Sequence, residues 1–144
     1  MAGELVVVYN LLPEIAVQVS KAADKAVRKA AFDIQAVAQS LAPVDTGFLK
    51  NSIYTVTRTT SNYGSAQRRS GKKNSDAGLL PEVEHPTEKN TAIVAVGADY
   101  GMYVEYGTSH MVPKPYLTPA VEFVWPKFQK SLEEIFAFME ANAL

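Results

Sequence analysis

From Pro13 to Leu41 apolar residues return every three or four positions. Ile15, Val19, Ala22, Ala26, Ala30, Ile34, Val37 and Leu41 fall on one stripe, which is the period of an amphipathic helix. At 1.5 Å per residue that helix would be about 43 Å long. Ala22, Ala23, Ala26, Ala30 and Ala31 keep the stripe thin, so a sheet or a second helix can approach closely, while Lys21, Lys25, Arg28 and Lys29 lie mostly off it. Pro43 ends the pattern, because a residue preceding proline avoids helical backbone. Ahead of it, "ELVVVY" (Glu4 to Tyr9) is a β-branched run suited to a strand.

Beyond Pro43 the period changes. Ile53, Thr55, Val56 and Thr57 alternate well enough to predict a strand over about Ser52 to Thr59, and "NTAIVAVGAD" (Asn90 to Asp99) predicts a second. Between them, Ser61 to Asn90 is rich in Gly, Ser, Asn, Lys and Arg, with Leu79, Leu80 and Val83 as its main apolar residues. It reads as a long flexible loop inserted in the domain, and loops of that length are functional or mobile. Met102, Tyr103 and Tyr106 predict a short helix over Tyr100 to Tyr106. Thr118 and Pro119 are start signals for a last helix, with its apolar stripe at Phe128, Leu132, Ile135, Phe136 and Met139 and a kink or restart expected at Pro126. The result is an α+β domain: a small antiparallel sheet packed by a long N-terminal helix and a C-terminal helix, with a long loop between strands.

Composition narrows the picture. The 144 residues suit one domain, residues 1–144. A formal net charge of -1 argues against coating DNA through bulk positive charge, so any electrostatic partner must be met by a local patch. Without cysteine there are no disulfides, thiolate metal ligands or cysteine nucleophiles. The N-terminus carries an early acid and no cationic start, which does not read as a signal peptide. No apolar run reaches the length of a membrane span.

Candidate chemistry is sparse. "DTG" (Asp45 to Gly47) matches the tripeptide of aspartic proteases, whose chemistry needs two aspartates sharing a proton in a mostly β dimer. Here it follows a long helix and a proline, and reads as a turn in which Gly47 accepts positive φ. His85, His110, Glu84 and Glu105 lack the i, i+4 spacing of a helical zinc site. No metal or cofactor is expected, nor any catalytic residue. Arg68, Arg69, Lys72 and Lys73 form a basic cluster that could contact DNA or an acidic protein surface, although Asp76, Glu82, Glu84 and Glu88 follow closely. "YVEYGTSHMVPKPYLTPA" (Tyr103 to Ala120) is the densest stretch. Gly107 permits a turn, Pro113 and Pro115 hold the chain extended, and Tyr103, Tyr106 and Tyr116 offer apolar faces with polar tips. It reads as a rigid strap leading to the last helix.

Three blocks in order, "APVDTGFLKNSI" (Ala42 to Ile53), "VGADYGMYVEYGT" (Val96 to Thr108) and "PKPYLTPA" (Pro113 to Ala120), resemble the HK97 gp10-like family of tailed-bacteriophage neck and tail-completion proteins. The resemblance implies a structural virion protein at the head–tail junction, assembled in the bacterial host cytoplasm. Its expected partners are further copies of itself in a ring of six or twelve, the neighbouring connector, head-closure and tail proteins, and DNA passing through the channel, with no membrane. Asp45, Thr46, Gly47 and Leu49 would make the turn and first core anchor. Tyr103, Glu105, Tyr106, Gly107 and Thr108 would form the block before the strap. Pro113, Pro115, Tyr116, Leu117 and Pro119 would set the last helix. Glu105 would either cap the turn within the chain or bond to a neighbouring subunit. Two alternatives accompany this reading: a DNA-contacting channel protein acting through the basic cluster, and a phage aspartic protease. The length of Ser61 to Asn90 and the presence of Pro126 depart from the family pattern.

Overall fold

A computed structural model describes residues 6–10, 17–44, 47–72 and 77–142, the side chains of 6–10, 17, 18, 139, 141 and 142 excepted. In chain order the elements are β1 (Val6–Asn10), α1 (Val17–Leu41), α2 (Phe48–Asn51), β2 (Ile53–Thr57), α3 (Tyr63–Ser70), β3 (Thr91–Val96), α4 (Gly101–Tyr106) and α5 (Leu117–Asn142). The strands form one antiparallel sheet in the order β1-β3-β2. In register, Val8 lies opposite Ile93, and Ile93 opposite Val56. The α+β class expected from the sequence is the one observed.

Side chains alternate between sheet faces, and each face has its own cover. Ile53, Ala92, Val94 and Val96 point to α1 and α5, where they join Val27, Ile34, Leu117, Val124 and Phe128 in the main core. Tyr54, Val56 and Ala95 point the other way, against Tyr63 and Ala66 of α3 and against Leu79. The sheet is therefore the middle of three layers.

α1 packs one residue round from the predicted stripe. Its buried line runs through Val19, Ala23, Val27, Ala30, Ala31, Ile34, Ala38 and Ala42. Ala22 is exposed, Ala26 and Val37 are half-buried, and Leu41 is 46% exposed. The closeness of the sheet and of α5 decides this, because alanine admits neighbours that a leucine would hold away. Ile15 and the expected helix start at Pro13 lie outside the described residues, as do Glu4 and Leu5. One polar residue enters this interface. The Gln35 side-chain oxygen accepts from Thr55 Oγ1 at 2.6 Å and from Asn62 Nδ2 at 3.1 Å, which satisfies it inside the fold.

Two other expectations need correction. The stretch read as a long flexible loop contains α3, whose amphipathic face is only Tyr63 and Ala66 and is too short to register as periodicity. α5 also runs without interruption from Leu117 to Asn142 with Pro126 inside it, so the restart expected there is not seen. In its first half α5 buries Leu117, Ala120, Val124 and Phe128, whereas Leu132, Ile135 and Phe136 are half-buried and Phe138 is 70% exposed.

The outer edge of β2 is occupied by the chain itself. Thr55 N–H donates to Asn62 Oδ1 at 2.7 Å, and Asn62 N–H returns a bond to Thr55 O at 3.2 Å. Thr57 N–H donates to Thr60 O at 2.8 Å. The Arg69 guanidinium donates to Ile53 O at 2.9 Å, and His85 Nδ1 lies 2.7 Å from Thr57 O.

Candidate functional site

The residues singled out in the sequence gather at the end of the molecule where α4, the strap and the start of α5 meet. α4 is a short helix closed by Gly107, whose φ of +76° is the left-handed region that glycine adopts without strain. The chain then turns tightly. Thr108 N–H donates to Met111 O at 2.9 Å, and Lys114 N–H donates back to Val104 O at 2.8 Å, which ties the strap to α4. A side chain at Gly107 would meet Pro113 Cδ at 2.7 Å and Met111 O at 2.9 Å, so Gly107 and Pro113 fit only as a pair.

Glu105 is the pivot. It is 3% exposed, yet it is a carboxylate. Its Oε1 accepts the backbone N–H of Tyr116 and of Leu117, each at 2.8 Å, and its Oε2 accepts that of Thr118 at 3.0 Å. Those are donors that the first turn of α5 cannot satisfy internally, and a negative charge there also complements the helix dipole. Burial pushes the Glu105 carboxyl up. The hydrogen bonds from Thr118, Tyr116 and Leu117 outweigh it and hold the group below the ordinary carboxylate value. The cap on α5 is thus Glu105, eleven residues upstream of the nearest N–H it receives, and not Thr118. The bonds of Glu105 are intrachain, but they go to the start of α5 and not to the turn.

Tyr116 locks the same corner. Its ring is fully buried and its hydroxyl donates to Gly101 O at 2.9 Å. Burial, with the Glu105 charge nearby, pushes its phenol well above the usual tyrosine range, so it stays a neutral donor. Tyr103 and Tyr106 are 41% and 63% exposed, and Pro113 and Pro115 are exposed as well, so this half of the motif faces outward. Pro119 sits in the first turn of α5, as expected.

The first block joins the end of β3. Leu49 is buried in the main core. Ser52, which the sequence reading passed over, makes the junction: it is fully buried, its hydroxyl donates to Leu49 O at 2.8 Å and accepts Ala98 N–H at 3.0 Å, and its carbonyl accepts Gly97 N–H at 2.9 Å. Gly47 has φ of +83°, the positive φ expected of the turn, while Asp45 and Thr46 lie outside the described residues. Replacing Ser52 with alanine leaves a buried N–H without its partner and is expected to cost about 2 kcal/mol; urea unfolding of the variant measures it.

The described members of the basic cluster make separate contacts. The Arg69 guanidinium is turned onto Ile53 O, and burial lowers its pKa, with Arg68 adding to the effect. Lys72 Nζ sits 5.6 Å above the Phe48 ring. Arg68 is exposed and bonds Ser65, and Lys73 lies outside the described residues. His85 and His110 are far apart in role: His85 bonds β2, and His110 N–H donates to Thr108 Oγ1 in the turn. Among the described residues no group of three or more His, Cys, Asp or Glu could hold a metal ion, and no helix is long and apolar enough to cross a membrane.

Fold and site together define a small α+β domain in which Glu105, Tyr116 and Ser52 join its own elements. Residues 10–107, more than half of the chain, match the family model described as "Bacteriophage HK97-gp10, putative tail-component". The chain belongs to this HK97-gp10-like family of phage tail components. The match covers the first sequence block and all of the second except Thr108, ending at Gly107 before the strap and α5. Neither curated proteins nor solved structures provide a match.

Proposed function

We propose that the protein is a ring-forming structural subunit of a tailed-phage virion, placed at the junction of head and tail, in the neck or completing the tail. The observation that carries this reading is the use the chain makes of its motif. Glu105, the acid at the centre of the motif, spends its carboxylate on three backbone N–H groups of α5. A carboxylate so held below its ordinary pKa is a poor proton donor or acceptor near neutral pH, which suits a role in architecture. Tyrosines exposed beside it at Tyr103 and Tyr106 suit a protein contact, since tyrosine is enriched at interfaces. The connection between β2 and β3 is the segment proposed to meet the adjoining ring.

The experiment is genetic. A stop codon early in the gene should yield DNA-filled heads and finished tails lying apart in electron micrographs of the lysate. Intact, infectious virions would overturn the reading. Immature heads with uncleaved subunits would point instead to the protease alternative.

A further inference from the structure

The layer formed by α1 and α5 carries opposite charges on its two outer flanks. On α1, Lys21, Lys25, Arg28 and Phe32 follow at i, i+4, i+7 and i+11 and so share one face. All four are exposed. On α5, Glu122, Gln129, Glu133 and Glu140 follow at i, i+7, i+11 and i+18, and are also exposed. The two helices meet along a shallow groove lined by Ala26, Ala30, Val124 and Phe128. At 100° per residue, each charged face lies on the side of its helix turned away from that groove. One flank of the layer is therefore basic and the other acidic.

Neither flank is fully neutralised among the described residues: on the basic one Arg28 is paired with Asp24, while Lys21 and Lys25 are not paired. The two ion pairs among the described residues, Arg28–Asp24 at 3.1 Å and Lys29–Asp33 at 2.8 Å, both lie inside α1. Lys21 and Lys25 make no ion pair there, and Glu122, Glu133 and Glu140 make none either. Lys130 borders the acidic face without pairing to it, and Lys127 lies over the Phe123 ring at 4.7 Å. An acid in the last turn of a helix opposes its dipole, so Glu140 gains from an external cation. Each flank also carries an exposed aromatic, Phe32 on the basic side and Trp125 beside the acidic one, at 45% and 37% exposure.

We infer that the occupant of the basic α1 flank is the acidic α5 flank of a second copy of this chain, docked side by side. Charge complementarity selects that partner. A nucleic acid would suit Lys21, Lys25 and Arg28 but be repelled by the acidic flank of the same layer, in a chain of net charge -1. A second copy satisfies both flanks at once. Because the two surfaces differ, the contact is heterologous: each subunit offers one flank and uses the other, and the series ends without free flanks only by closing on itself. This rests on the ring-forming reading above and names its subunit contact.

Two surface variants of the full chain test it: Lys21→Glu with Lys25→Glu, and Glu133→Lys with Glu140→Lys. Circular dichroism checks that both fold, and sedimentation follows association at low and high salt. Wild type should self-associate, with affinity falling about tenfold or more as salt screens the flanks. Each variant alone should lose association. An equimolar mixture should regain it, because reversed α1 then faces reversed α5 while the native pair is kept. Variants that associate like wild type, or a mixture no better than its components, would overturn the contact while leaving the tail-component reading intact. Loss of DNA binding by the lysine variant, with association unchanged, would assign that flank to nucleic acid. A wild type that stays monomeric at every concentration also overturns it, and the stop-codon particles judge the wider reading separately.

Discussion

Glu105→Ala is expected to destabilise the protein by about 3 kcal/mol, because three N–H groups at the start of α5 lose their acceptor in a buried place. For a chain of this size that lowers the melting temperature by on the order of 8 °C. Glu105→Gln keeps one oxygen but turns an amide toward the donors, so it should recover little. The pH dependence separates the charge from the shape. In the folded state Glu105 is held below its ordinary value, so below the unfolded carboxylate pKa of about 4.3 the unfolded chain binds more protons. Its contribution is therefore fully present above that pH and is lost as pH falls through the lower folded value. Thermal melts of wild type and Glu105→Gln should converge across that acid window. A difference that stays constant down to the lowest pH would mean the charge is irrelevant.

The second large effect is expected at Gly107. Alanine there must adopt φ near +76° and press its Cβ within 2.9 Å of Met111 O and closer still to Pro113. The carbonyl is backbone and the proline ring is stiff, so neither yields easily. Together the strained backbone and the clash should cost about 3 kcal/mol. Gly71→Ala is the reference: at φ +72° and ψ 14° it has nothing within 4 Å of the added Cβ and carries only the milder strain of the αL region, whereas Gly107 at ψ 174° lies in a region nearly confined to glycine. Denaturant melts in which the two variants lose equal stability would show that neither the backbone of Gly107 nor its fit against Pro113 adds to the cost.

These two positions also show what the sequence discloses. Gly107 and the prolines were legible as a turn and strap because their constraints are local, fixed by φ and by missing donors. Glu105 was visible as a motif residue, but its role depends on α5 arriving over it, which no local pattern encodes. Ser52 was hidden for the same reason: a serine at the start of a strand is commonplace until β3 ends beside it. The strands and the two long helices followed from periodicity. The rotation of α1 did not, since alanine is apolar enough for either stripe and only the nearness of sheet and α5 selects between them. α3 escaped because a helix of 8 residues with two buried side chains leaves too little pattern to read.

The basic cluster shows a different limit. Four cations within six residues invite a single electrostatic reading, yet the fold turns Arg69 onto a strand carbonyl and lays Lys72 over a ring. Sequence adjacency gave no warning that neighbours would take up separate tasks.

Arg69 has one more consequence, together with Asn62, Thr60 and His85. An uncovered strand edge is a template on which identical chains polymerise into fibrils. β2, with the sequence IYTVT, is rich in the β-branched and aromatic residues that favour such growth. With its outer hydrogen-bonding groups already engaged by side chains and a returning loop, β2 offers an incoming chain nothing to extend. The fold thereby keeps free chains from nucleating amyloid through this edge.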